Sequence, residues 1–136
     1  MLGTSYALTG ETTMPLAEAV ERVREELKVE GFGVLTEIDV QATLKEKLDI
    51  EVEPYVILGA CNPPLAHQAL QAEPDLGVLL PCNVVVYERN GFTHVSAVDA
   101  ERMLSIVEND QLADVAEDVR ARLGAVVDRV VSNEHV

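Results

Sequence analysis

The sequence predicts one α+β domain, with a mixed, mostly antiparallel five-stranded sheet and helices packed mainly on one face. Three observations predict it. Strand and helix patterns alternate over the first 72 residues, a strong hairpin pattern follows, and the 136-residue chain is of single-domain size, so no second core is expected within 1–136. With 48% hydrophobic and 25% charged residues the chain can build a core, which excludes a disordered or collagen-like polymer.

The elements read in order as β-α-β-α-β-α-β-β-α-α. Ser5 to Thr9 alternates as a short strand. Pro15 favours a first helical turn behind Thr12 and Thr13 as candidate caps, and Leu16, Val20, Val23 and Leu27 follow at helical spacing until Gly31. Phe32 to Ile38 reads as a strand, and Asp39 can cap a helix carrying Val40, Leu44 and Leu48 on one side. Tyr55 to Cys61 is nearly free of polar residues and reads as a buried strand. Asn62 then caps a helix opened by Pro63 and running from Leu65 to Ala72. Leu76 to Leu80, interrupted by Gly77 and closed by Pro81, reads as a turn or brief strand.

Cys82 to Glu88 is the strongest strand signal, and Asn90-Gly91 makes a two-residue hairpin turn to Phe92–Val98 because both residues accept positive φ. That turn sets the register. Arg89 faces Phe92, Tyr87 faces His94, Val85 faces Ser96 and Asn83 faces Val98; on the other side Val86 faces Val95, Val84 faces Ala97 and Cys82 faces Asp99. The aliphatic side is the expected core face. Asp99 caps a helix to about Val107, and a last helix runs from Asp110 to about Val131. Its seam Leu112, Ala116, Val119, Leu123, Val126 and Val130 is expected to pack on the chain's own sheet.

The chain holds 24 acidic and 10 basic residues, a formal charge of −14. That argues against a nucleic-acid or anionic-membrane surface, either of which needs a cationic footprint. The acids are spread along the chain rather than gathered in a tail, and Lys28, Lys45 and Lys47 are the only lysines. One reading is an ordinary acidic protein; the other is a halophilic one, from a high-salt cytoplasm where a Debye length of about 3 Å at molar salt screens the repulsion. A melting series separates them: on the halophilic reading the midpoint rises from low to molar salt, and a flat series rejects it.

The first 15 residues carry no basic start or long apolar stretch, no run nears the roughly 20 residues of a membrane span, and two cysteines are too few for a secreted disulfide framework. A cytoplasmic, reduced protein is expected. No phosphate-cradling glycine loop, C-x-x-C or H-E-x-x-H occurs, and Gly31-Phe32-Gly33 precedes a strand, the wrong order for a nucleotide fingerprint.

Two segments are related: Gly59-Ala60-Cys61-Asn62-Pro63-Pro64 and Leu79-Leu80-Pro81-Cys82-Asn83-Val84 each set a Cys-Asn step at a strand end beside proline. Together with Gly31-Phe32-Gly33-Val34-Leu35 and Ile38-Asp39-Val40, these ordered motifs resemble the domain-of-unknown-function 302 family over about 31–99. The resemblance implies a small α+β domain, a homodimer, and no agreed reaction, substrate or catalytic residues.

Candidate binding residues are Cys61, Asn62, Cys82, Asn83 and His94. Three readings of the cysteines stand: two inert buried thiols; a Cys61 thiolate activated by the following helix N-terminus; and a metal site using Cys61 and Cys82 with His67 or His94, although no dedicated ligand spacing marks it. His67 itself suits a surface helix, and His135 is expected in a frayed tail. The functional expectation is a homodimeric binding module for a small molecule or ion near the two Cys-Asn strand ends, with a thiol-dependent enzyme using Cys61 as the alternative; the cofactor is unspecified. Slow alkylation of both native thiols would favour binding or a purely structural role, fast alkylation of Cys61 catalysis. If 55–61 and 82–88 pair antiparallel, the cysteines are neighbours; a parallel crossover would place them at opposite sheet ends.

Overall fold

The computed structural model describes residues 2–132; His135 lies outside them. Its strands are β1 (Leu2–Gly3), β2 (Ala7–Thr12), β3 (Gly33–Asp39), β4 (Tyr55–Cys61), β5 (Cys82–Arg89) and β6 (Phe92–Val98). The helices are α1 (Leu16–Val29), α2 (Val40–Leu48), α3 (Pro63–Ala72), α4 (Ala100–Leu104) and α5 (Ala113–Ser132). The sheet order is β1-β2-β6-β5-β4-β3. Every described pairing is antiparallel, so the sheet is not mixed, and the two-residue β1 extends the five expected strands at one edge.

The hairpin has the expected register, with Tyr87 opposite His94 and Val86 opposite Val95, and positive φ at Asn90 (55°) and Gly91 (83°). Val84, Val86, Val95 and Ala97 are buried under α1 and α5. The seam of α5 is buried from Leu112 to Val130, against α1, α4, β2 and β6. The opposite sheet face carries no helix of this group.

Local chemistry explains most boundaries. Asp39, Asn62 and Asp99 each accept a backbone N–H three residues on, from Ala42, Leu65 and Arg102, as side-chain N-caps. At the end of α1, Phe32 N–H bonds the Leu27 carbonyl and Gly31 N–H that of Lys28, the Schellman pattern, with Gly31 at φ 85°.

Some expectations are corrected. The first long strand begins at Ala7 rather than Ser5, because its β6 partners run from Val98 back to Thr93. Pro15 itself is the cap residue of α1, without a side-chain cap bond, and Thr12 Oγ1 instead accepts the Met14 N–H in the preceding turn. Leu76–Leu80 forms no strand: Pro74–Leu79 is a 3₁₀ helix held by bonds such as Leu80 N–H to Gly77 O. The helix after Asp99 becomes 3₁₀ over Ser105–Val107, and Asp110–Leu112 is also 3₁₀ before α5 begins. The apolar side of α2 has no roof. None of its residues is buried and Leu48 is 62% exposed, since the helix meets chiefly β4.

An ion network ties α5 to α1. Arg129 bonds Glu26 at 2.6 Å and Glu30 at 2.7 Å, and Arg22 bonds the other oxygen of Glu26 at 3.1 Å. The Arg129 hydrogen bond, against the opposing effect of burial and with help from Arg22, holds the Glu26 carboxyl below its ordinary value of 4.5. A depressed folded value means the stabilisation is complete above 4.5 and lost as pH falls through the lower folded value. Arg129→Met is therefore expected to cost about 1 kcal/mol at pH 7, since the pair is only partly buried. Urea midpoints of the two proteins should converge as the pH is lowered below 4.5; a gap independent of pH would assign the loss to packing.

Candidate functional site

A cavity of about 300 Å³ opens where β4 ends and β5 begins. The sheet contributes Ala60, Cys61 and Cys82; α3 contributes Leu65, Ala66 and Ala69; α4 and α5 contribute Met103, Leu104, Val115 and Val119. Leu76 closes it from the 3₁₀ segment, and the exposed side chains of Leu35 and Leu70 lie at its rim. The motif pair noted in the sequence thus meets in space. β4 and β5 are antiparallel neighbours with Ala60 opposite Cys82, so the two cysteines are close and line one space.

Asn62 is buried, and its amide is occupied at both ends. Its oxygen accepts the Leu65 N–H and its nitrogen donates to the Glu30 carbonyl, each at 3.3 Å. That carbonyl also accepts Arg122 at 3.0 Å, so Asn62 joins α3 to the α1–α5 pair rather than addressing a ligand. Gly31 makes the approach feasible, because a Cβ there would lie 3.0 Å from the Asn62 amide nitrogen.

The start of α3 offers little to an anion or a thiolate. Pro63 and Pro64 have no N–H, Leu65 N–H is taken by Asn62 Oδ1, and Ala66 N–H bonds the Asn62 carbonyl. At Cys82, burial first and the neighbouring Cys61 second push the thiol up to about 11, so it stays protonated at neutral pH. Both cysteines are free thiols.

The other candidates lie elsewhere. His67 is exposed on α3 and does not line the cavity, and no three of His, Cys, Asp and Glu form a metal-holding group among the described residues. Asn83 and His94 belong to the uncovered sheet face, because side chains alternate along β5 and β6. The expected five-residue binding set is therefore divided between two faces. There His94 stacks on Tyr87 with ring centres 4.9 Å apart, and Tyr87 on Tyr55 at 5.1 Å. His94 Nδ1 is 3.8 Å from Glu11 Oε2, so the row crosses β2, β6, β5 and β4. A groove of about 470 Å³ on this face includes Tyr6, Tyr55, Asn83 and Tyr87, and shares Pro81 and Met103 with the cavity.

Sequence reasoning missed Met103, Leu65 and Tyr55. Tyr55 could be found only from the β4–β5 register, and Met103 carries no local signal beyond its place after the Asp99 cap.

A family model, domain of unknown function DUF302, matches residues 8–130. The chain belongs to the DUF302 family. The match exceeds the 31–99 stretch bearing the motifs and takes in most of β2, α1 and most of α5. An uncharacterized conserved DUF302 protein from Bacillus stearothermophilus, known from its crystal structure, shares this fold with a TM-score of 0.88. It is 35% identical, over 93% of this chain and 99% of that one. No curated protein matches. No described helix of this DUF302 chain is long and apolar enough to cross a membrane.

Proposed function

We propose that this DUF302 protein is a binding module whose ligand sits in the cavity beside Cys61 and Cys82. One observation carries the reading: a cavity of about 300 Å³, at the low end of ligand-site sizes, is lined almost wholly by hydrophobic side chains, and its one amide is already bonded. A phosphate, carboxylate or hydrated ion would lose its water there without replacement partners. The ligand class favoured is small, uncharged and mainly apolar. The neutral dye N-phenyl-1-naphthylamine tests this: its fluorescence should rise on binding to the native protein and fall to background in Ala66→Phe, which fills the cavity from α3. Equal binding by both proteins would place the dye elsewhere and reject the reading.

The module acts as a homodimer through the uncovered sheet face. By alternation, β2, β6, β5 and β4 turn only two charged side chains, Glu11 and Arg89, to that face, whereas the whole chain has 24 acidic residues. Two copies carrying −14 each can approach there without opposing carboxylate rows, in an isologous contact. Tyr87→Asp, which puts a charge between Tyr55 and His94, is expected to yield folded monomers. Sedimentation with circular dichroism checks it: a persisting dimer moves the interface elsewhere, and global unfolding makes the face internal.

A further inference from the structure

We infer that the cavity takes the tail of an uncharged single-chain amphiphile, which enters between Leu35 and Leu70 and leaves its head group in solvent. The inference rests on the cavity being a ligand site and adds which way the ligand lies in it.

The mouth is set by a break in β3. In a regular strand, residues two apart share a face. Val34 and Thr36 do not. Val34 lies opposite Ala60 and packs against the core, whereas Thr36 lies opposite Gly59, where its Oγ1 would meet a Cβ on the uncovered side of the sheet. The register shift between them leaves Leu35 as the extra residue of a β-bulge. Regular alternation from Val34 would turn Leu35 away from the helices. Instead it lines the cavity while remaining 67% exposed, the re-aiming of a side chain that bulges bring about beside functional sites. Leu70 of α3 stands at the same rim, 37% exposed, and Gly77 is the other exposed lining residue. By contrast Ala100, Leu104, Val115 and Val119, which α4 and α5 contribute, are buried. The space therefore has an open apolar rim and a buried apolar wall.

Those surfaces select an amphiphile. A head group drawn inside would lose its water without replacement, since the Asn62 amide is spent on Leu65 and Glu30. An alkyl chain gains with every methylene it buries. The tail thus goes in and the head stays out. No charged residue lines the cavity, so nothing there selects a charged head group, and the formal charge of −14 disfavours a carboxylate.

The test displaces N-phenyl-1-naphthylamine from the native protein with straight-chain primary alcohols of increasing length, and with the alkyl glucosides of the same lengths, each below its aggregation concentration. Affinity should rise about fourfold per methylene, the gain from burying one CH₂, and level off once the chain reaches the mouth. Glucoside and alcohol of equal length should bind alike because the sugar stays in water, and the fatty acid of that length should bind less well at pH 8. Leu35→Asp alters an exposed position and should leave the urea midpoint unchanged. It should weaken the longest alcohols about tenfold, because the emerging chain then passes a group that must keep its water, and spare those short enough to end inside. Alcohols that bind while glucosides are rejected would put the head group inside and overturn the inference. So would tighter binding of the fatty acid, equal affinity of long alcohols for native protein and Leu35→Asp, or no displacement by any alcohol. Each of those results leaves the cavity reading standing as long as Ala66→Phe abolishes the dye signal; a signal unchanged in Ala66→Phe would strike the cavity reading itself.

Discussion

Gly59→Ala is expected to destabilise the protein by about 1–3 kcal/mol or more, the cost of overpacking a filled site. A Cβ at Gly59 would stand 2.3 Å from Thr36 Oγ1 and 2.8 Å from Pro81 Cγ. Neither neighbour yields easily: threonine is stiff at χ1, and the proline ring is part of the chain. Relief must come from moving β3 away from β4, or Pro81 away from the sheet. Because Pro81 leads into Cys82 at the cavity wall, the second route should also weaken dye binding. Gly33→Ala is the control, since nothing lies within 4 Å of a Cβ there. Urea unfolding should show a large fall for Gly59→Ala and little change for Gly33→Ala. Equal losses would make the effect one of backbone freedom rather than collision.

Leu123→Ala is expected to cost about 2–5 kcal/mol, a large share of the roughly 5–15 kcal/mol that holds a domain folded. Leu123 is fully buried in the seam by which α5 covers the sheet, and α1, α4, β2 and β6 all meet this helix. Its truncation leaves a void that surrounding elements can fill only partly. Leu48→Ala on the exposed side of α2 should change stability by no more than about 0.5 kcal/mol. Both are leucines on helices, so the contrast isolates burial. A denaturant midpoint that drops with unchanged slope supports the account; comparable losses at both positions would mean that α2 is covered in solution.

What the sequence determined by itself was local. The caps Asp39, Asn62 and Asp99, the Gly31 stop, and the Asn90-Gly91 turn follow from backbone hydrogen-bonding and φ preferences of single residues, and each is found in place. The register of the hairpin followed from its turn, and the two-residue period then identified the core face. The Cys-Asn motifs were legible as related segments, and the family they resemble is the one whose model the chain matches. Tertiary structure alone decided what those segments do together. The sheet order brings β4 beside β5, which joins Cys61 and Cys82 in one cavity and adds Met103 from α4. It left α2 without a roof despite its apolar side, and it turned Asn62 from a candidate binding residue into the bond between α3 and the end of α1. The physical reason is range: caps and turns are settled within four residues, whereas a cavity is made by side chains from elements separated by tens of residues, whose meeting depends on which strands pair.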